Sequence, residues 1–247
     1  SGATLEYAET GSTQTLSGVI TGAGGLSMTG TDGKLALTSG SSTFAGGIAV
    51  TAGRVEAGAS STGSVTTGPF GTGTVSASGG GAIDLNGQTI ANPLSLASAG
   101  QTLNDRALYN ASGNAATASG PITLTGDTVI DASSGDLTIS GILSGDASAD
   151  LLKTGSGRLI LTGNNTYEGV TTVAAGTLEA GGAQTLGADT AETVVKHGAD
   201  LVIDGFLVTE PITLEGGTLV GGGTTSSLTG AVTLTADSLL GASSPFT

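Results

Sequence analysis

Residues 152–178 read LKTGSGRLILTGNNTYEGVTTVAAGTL. Leu159–Leu161 is a short apolar run, and runs such as Leu137-Thr138-Ile139 and Val232-Thr233-Leu234 alternate apolar with polar residues; glycine or polar residues bound each of them. Alternation with a period of two, rich in β-branched residues, indicates short strands that bury one face. Glycine bounds them because it turns the chain tightly without a steric cost. The stretch therefore predicts strands joined by tight corners.

The same pattern occurs twice along the chain. Residues 44–58 align without a gap with residues 167–181, at an offset of 123. Residues 85–93 align with 203–211 at an offset of 118, and residues 122–134 with 232–244 at an offset of 110. Because the order of the matches is kept while the offset drifts, insertions fall between strands, where loops absorb them. We predict two repeat units, 17–139 and 140–247, of which the second is incomplete.

Each unit contains strand–turn–strand segments of about 20 to 25 residues, which is the length of one coil of a parallel β-solenoid. Ten or eleven coils stacked at ~4.8 Å would form a rod of roughly 50 Å. We therefore predict one elongated all-β solenoid over residues 1–247. The competing all-β interpretation is a pair of Greek-key sandwiches, one for each unit, and the low aromatic content of 3% weighs against it.

Composition and charge narrow the function further. The chain has 45 glycines, no cysteine or tryptophan, and a net charge of -14. The electrostatic field of this negative net charge repels nucleic acid and anionic lipid, so neither is an expected partner. Without cysteine there is no disulfide scaffold, and no run is long enough for a membrane-spanning helix. We expect any export signal to lie outside this sequence, and we expect no cofactor.

Residues 152–178 closely resemble the passenger-associated transport repeat of autotransporters, also called the autotransporter-associated β-strand repeat. The residues that carry the resemblance are Lys153, Gly155, Gly157, Leu159, Leu161, Gly163, Asn165, Thr166, Tyr167, Gly169, Gly176 and Leu178. The first copy departs from the pattern: residues 32–37 lack the Gly-x-Gly, and Ser42-Thr43-Phe44 stands in place of Asn-Thr-Tyr.

The resemblance implies a right-handed parallel β-helix, a segment of a passenger that is exported through the protein's own C-terminal outer-membrane barrel. It also implies display at the surface of a Gram-negative cell, or secretion. In that family the repeats are linked to passage and folding of the passenger rather than to catalysis. We therefore expect a monomeric, non-catalytic structural and adhesive stalk whose partners are host-cell, matrix or neighbouring-cell surfaces.

Candidate chemical groups are few. His197 is the only histidine, and a surface position at a strand corner is the preferred interpretation of it. The calcium-binding nonapeptide is absent, with only a partial resemblance at residues 79–84. The alternative function is a carbohydrate-active β-helix, which would need carboxylates and aromatic residues from successive coils. Its candidates are Arg158, Glu168 and Glu179, and separately Asp200, Asp204 and Glu210. Tyr167, Glu168 and Thr171 are expected to face outward.

Overall fold

The structure is a computed structural model that describes residues 2–100, 105–223 and 226–242. The described residues form 28 strands and no helix. In chain order they are β1 (Thr4–Tyr7), β2 (Thr13–Leu16), β3 (Gly25–Met28), β4 (Lys34–Leu37), β5 (Ile48–Val50), β6 (Arg54–Ala57), β7 (Val75–Ala77), β8 (Ala82–Asp84), β9 (Thr89–Ile90), β10 (Leu94–Leu96), β11 (Arg106–Tyr109), β12 (Ala116–Ala118), β13 (Ile122–Leu124), β14 (Thr128–Asp131), β15 (Leu137–Ile139), β16 (Leu143–Ser144), β17 (Leu151–Thr154), β18 (Arg158–Leu161), β19 (Thr171–Val173), β20 (Gly176–Ala180), β21 (Thr193–Lys196), β22 (Ala199–Asp204), β23 (Leu207–Val208), β24 (Ile212–Glu215), β25 (Thr218–Gly222), β26 (Ser227–Leu228), β27 (Val232–Ala236) and β28 (Leu239–Ala242).

The strands stack into three long parallel sheets, because each strand pairs with its counterpart in the next coil. The first sheet has the order β1-β3-β5-β7-β10-β13-β16, and the second β2-β4-β6-β8-β11-β14-β17-β19-β21-β24-β27. The third has the order β28-β25-β22-β20-β18-β15-β12-β9, and β23 pairs with β26 in a short fourth sheet. The second sheet receives one strand from every coil, so its eleven strands count about eleven coils. The predicted parallel β-solenoid is confirmed.

One apolar core runs through all the coils. Along the second sheet, for example, Ile83, Leu108 and Ile130 lie next to one another in register and are buried. Stacked inward rows of this kind remove from water the face that a single coil would leave exposed. The sandwich alternative is wrong, because the named strands pair only in parallel fashion around this single core.

The core is open at both ends of the described chain. In the last coil Leu234 is 66% exposed and Leu240 is 72% exposed, and in the first coil Leu5 is 57% exposed. These side chains occupy inward or edge positions that have no further coil against them. An apolar pit lined by Leu214, Leu219 and residues of the last coil opens at the same end.

The two copies of the repeat do not lie above one another. The first copy uses β3 and β5 of the first sheet with β4 and β6 of the second. The matching strands of the second copy are β17 and β19 of the second sheet with β18 and β20 of the third. Likewise β13 in the first sheet matches β27 in the second. Each matched strand has therefore moved one sheet further round the solenoid.

Candidate functional site

The repeat motif builds the corner between the second and third sheets. Lys153 lies in the inward row of the second sheet, in register with Ile130 and Val173, and is fully buried. Its Nζ donates to the backbone oxygens of Thr154 (2.9 Å), Gly155 (2.8 Å), Gly157 (2.9 Å) and Ala175 (2.8 Å). Burial lowers the pKa of Lys153 to about 8, against the attraction of the Asp131 carboxylate. The ammonium thus joins the corners of two successive coils.

The motif glycines make this corner close enough for one ammonium to reach both coils. Gly155 and Gly176 both have positive φ, 78° and 63°. A Cβ on Gly176 would lie 2.5 Å from the carbonyl oxygens of Gly155 and Gly157, which is closer than a side chain can approach. Only glycine therefore satisfies both the backbone angle and the stacking distance at this position.

Asn165 ties three coils together at the next corner. Its Oδ1 accepts a hydrogen bond from the Leu143 N–H (2.8 Å), and its Nδ2 donates to the Thr185 carbonyl (2.6 Å). Its own N–H donates to the carbonyl of Gln184. These bonds replace strand pairing in a segment where the first sheet has ended at β16. Asn165 therefore acts as a bridge between coils.

Tyr167 and Thr171 face the core and not solvent, which corrects the outward assignment. Both side chains are fully buried, and their hydroxyl groups form a 2.8 Å hydrogen bond. The bond satisfies two polar groups that would otherwise be buried without a partner. Glu168, between them in sequence, is exposed as expected.

The remaining motif residues are structural. Leu159, Leu161 and Leu178 are fully buried in the third sheet, where Leu159 pairs with Leu178. Gly163 and Gly169 are buried at positions where a Cβ would meet the carbonyl groups of the preceding coil, while Thr166 is exposed. The structure therefore brings the motif together as two corners of neighbouring coils, and the polar groups of its buried side chains bond to the protein itself.

The first copy builds the same corner with different side chains. Met28 occupies the place of Lys153, and a Cβ on Gly53 would meet the Met28 side chain and the carbonyl groups of Gly30 and Gly33. The two glycines are thus present, separated by one residue more than in the second copy. This spacing explains why the Gly-x-Gly pattern could not be seen at residues 32–37.

The second corner of the first copy is equally close to its counterpart. Ser42 Oγ accepts from the Ile20 N–H at 3.1 Å, as Asn165 does from Leu143. Phe44 and Ile48, both buried, stand where Tyr167 and Thr171 form their hydrogen bond. An apolar pair has therefore replaced a hydrogen-bonded pair at the same site.

The groups considered for catalysis are scattered. Arg158 and Glu179 form an ion pair on the outer side of the third sheet, while Glu168 lies in the segment before β19. His197 is exposed in the turn between β21 and β22, as predicted. Asp200 and Asp204 lie on β22, and Glu210 is buried elsewhere, so that set does not form one site.

Glu210 has surroundings that its sequence position did not indicate. Its carboxyl group bonds to the Thr193 hydroxyl and lines a cavity of about 230 Å³ together with Asp189 and Gly187. Burial raises the pKa of Glu210 to about 8; the Thr193 hydrogen bond lowers it and the Asp189 charge raises it. The first sheet is interrupted in these coils, which leaves the space. No alternation or motif in residues 205–210 indicates that Glu210 is buried beside a cavity.

The outer face of the second sheet carries a second group of charges that sequence reasoning missed. Asp84, Tyr109 and Asp131 are neighbours in register across β8, β11 and β14. Arg106 forms an ion pair with Asp131 (3.3 Å) and lies over the Tyr109 ring, 4.2 Å from its centroid. Burial raises the pKa of Asp84, while N–H groups of Ala111 and Asn86 lower it. Residues 25 positions apart meet here only because the coils stack.

Two features are absent from the part of the chain that the structure describes. The described ranges contain no group of three or more His, Cys, Asp or Glu side chains that could hold a metal ion. Within the same ranges, no helix is long and apolar enough to cross a membrane.

Comparison with known proteins agrees with this geometry. The family model described as Passenger-associated-transport-repeat matches residues 21–57 and 151–180. These two ranges contain the Met28 and Lys153 corners. The chain carries passenger-associated-transport repeats. The repeats are those of autotransporter passengers, which implies display at the cell surface or secretion.

A curated relative supports the same assignment. Over 94 residues the chain is 40% identical to the Adhesin BmaC autotransporter of Brucella suis biovar 1 (strain 1330). The match covers 38% of this passenger segment and 3% of that adhesin, so the segment corresponds to a small part of that protein's length. No solved structure matches the chain.

Proposed function

We propose that this passenger segment is a non-catalytic structural and adhesive stalk, carried by a protein that is exported through its own outer-membrane barrel. The observation that supports it most is the use of the motif's polar side chains. Lys153 and Asn165 bond to backbone groups of two or three coils, and Tyr167 bonds to Thr171. Groups used in this way stabilise stacking and are not free to act on a substrate.

Adhesion in this proposal comes from repeated outward rows. Thr172, Val194 and Thr213 lie side by side on the outer face of the second sheet. Rows of small, mostly polar side chains repeated along a rod suit weak multivalent contact with host-cell, matrix or neighbouring-cell surfaces. The name of the related adhesin is consistent with such a role.

The test compares point variants with coil deletions in a cell- or matrix-binding assay. Thr172→Ala should leave binding almost unchanged, whereas removal of whole coils, one and then two, should weaken it progressively. Loss of binding from one outward substitution, with the fold intact by circular dichroism, would contradict a distributed contact.

A carbohydrate-active enzyme is the second candidate, and one observation favours it. Asp84 and Asp131 lie two strands apart, which places them roughly 9 to 10 Å from each other, near the ~6.5–9.5 Å spacing of inverting glycosidases. However, Tyr109 fills the position between them. Asp84 is only 1% exposed, Tyr109 4% and Asp131 5%. A carboxyl group so covered does not reach a glycosidic oxygen.

We therefore expect no turnover of any polysaccharide by the purified segment. The measurement is release of reducing ends or unsaturated products from a panel of uronic-acid and neutral polysaccharides. Turnover that disappears in both Asp84→Asn and Asp131→Asn would establish the enzyme in place of the stalk.

A further inference from the structure

A pit on the outer face of the second sheet brings two arginines together. Arg54 begins β6, Ala82 begins β8 in register with it, and Arg106 begins β11 on the far side. Because Ala82 is small and is preceded by the glycine turn 79–81, the space above it is open. The pit has a volume of about 270 Å³ and is lined by Arg54, Ala82, Arg106, Tyr109 and Asp32, among others.

The two arginines differ in what they already bind. Arg106 is fixed by its ion pair with Asp131 and by the Tyr109 ring. Lys34, beside Arg54 in register, is paired with Glu56. The Arg54 side chain has no hydrogen bond or ion pair with any residue in the described ranges, so it has a full set of donors to offer. A planar guanidinium with free donors is suited to bidentate recognition of a carboxylate.

The surroundings of Arg54 restrict the anion. The pit is smaller than the usual site for a drug-sized ligand, which takes ~300–1,000 Å³, and so admits about one sugar ring. Asp32 on its rim is exposed and would repel a second carboxylate but accept a hydrogen bond from a hydroxyl. The net charge of -14 opposes densely charged polyanions at long range.

We propose that this pit binds a sparsely charged acidic saccharide, in which the carboxylate of one uronic-acid unit pairs with Arg54 and neighbouring hydroxyls bond to Asp32. An acidic peptide presents successive carboxylates and few hydroxyls, and therefore fits the rim less well. The site adds one defined ligand class to the proposed adhesive stalk. The saccharide proposal can be wrong while the distributed contacts of the stalk still hold.

The experiment titrates the whole segment with a hyaluronan hexasaccharide, in which uronic acids alternate with neutral sugars, and follows amide shifts by NMR at low salt. We expect saturable shifts at residues 79–82 and at Arg54. Arg54→Ala and Ala82→Leu, which fills the pit without changing charge, should each weaken binding at least about tenfold, the size of one lost charge-assisted contact. Arg54→Lys should retain part of the affinity, because lysine keeps the positive charge but cannot form the bidentate hydrogen bonds of a guanidinium.

Lys196→Ala is the matched control, because it also removes one positive charge from the second sheet. Lys196 lies six coils away from Arg54 and is paired with Glu215. The control variant should leave the affinity unchanged. Circular dichroism and thermal melting establish that each variant is folded, and Arg54→Ala alters a partly exposed side chain only.

Four results would overturn the proposal. They are an absence of saturable shifts, equal binding of a neutral chito-hexaose, tighter binding of a heparin hexasaccharide that Arg54→Ala does not affect, and binding of hexaglutamate in the same pit. None of these results alters the expected response of cell binding to coil deletion, so failure here is distinguishable from failure of the stalk.

Discussion

At the residue scale, the two copies of the repeat fill one site with either a hydrogen-bonded or an apolar pair. Tyr167 and Thr171 share a hydrogen bond in one copy, and Phe44 and Ile48 pack together in the other. Each pair is internally consistent, but a mixture of the two would bury an unpaired hydroxyl. Stability at this site should therefore depend on the pair and not on either residue alone.

We predict that Tyr167→Phe destabilises the segment by about 1–3 kcal/mol, because the Thr171 hydroxyl loses its partner inside the core. The double variant Tyr167→Phe/Thr171→Ile, which copies the first corner, should recover most of that loss. Denaturant midpoints of the wild type, both single variants and the double variant complete the cycle. Additive effects would show that the two side chains are not coupled.

Lys153 provides a second comparison between the copies. We predict that Lys153→Ala costs about 3–5 kcal/mol, since it leaves a cavity and deprives four carbonyl groups of their donor. Lys153→Met should cost less, because Met28 fills the same position in the first copy. Equilibrium unfolding measures both, and Lys196→Ala, at a half-exposed surface ion pair, should change stability by less than about 0.5 kcal/mol. Equal losses for Ala and Met at position 153 would mean that packing contributes nothing there.

The buried Glu210 links stability to pH. Its pKa is raised from the ordinary 4.5 to about 8, so between these values the folded state retains a proton that the unfolded state loses. Stability of the wild type should therefore fall as pH rises from about 5 to 8. Glu210→Gln keeps an acceptor for Thr193 and cannot ionise, so its stability should vary less over this range.

Unfolding midpoints at pH 5, 6.5 and 8 test this difference, and at pH 8 the Gln variant should be the more stable protein. Thr172→Ala, an outward change without a charge, is the control and should follow the wild-type curve. Parallel curves for wild type and Glu210→Gln would contradict the prediction.

At the element scale, each strand contributes through its inward row. Leu161 is fully buried in β18, whereas Asp146 is exposed in the turn before β17. Leu161→Asp places a charge in the core and should cost at least ~3 kcal/mol, while Asp146→Asn should cost less than ~0.5 kcal/mol. Equilibrium unfolding compares the two. Similar costs would mean that the inward and outward faces of this coil were assigned in reverse.

Strand positions could be predicted from the sequence because alternation and glycine corners repeat in every coil. The burial of Leu161 and the exposure of His197 followed directly from this. Tyr167 was assigned to the wrong side because its segment is not a regular strand: Asn165 replaces strand pairing there, so the period of two could not be applied. Thr171 begins β19, where the period of two from the buried Val173 places it inward; its outward assignment followed from its polarity alone. The Arg54 pit and the Glu210 cavity depend on which residues stack between coils, and offsets of 20 to 30 residues are not visible in a local pattern.

At the scale of the whole molecule, the open ends set the order of unfolding. Strand β27 pairs with one neighbour and carries the exposed Leu234, whereas β17 pairs on both sides beneath a closed core. We predict that amides of the terminal coils exchange with solvent fastest and those of β14 and β17 slowest. Hydrogen exchange read by mass spectrometry tests this within one sheet. Uniform protection along the second sheet would indicate all-or-none opening instead.

The shift of the second copy by one sheet bears on how such a chain can grow. If a duplicated stretch had to equal a whole number of coils, few insertions in the gene would keep the stack intact. Here strands that match in sequence lie in different sheets, β4 in the second and β18 in the third, with Leu35 and Leu159 buried alike. The corner between the first and second sheets and the corner between the second and third thus accept the same motif. A duplication that adds a third of a coil, about seven or eight residues of a coil of ~22, can therefore extend the passenger without breaking the stack.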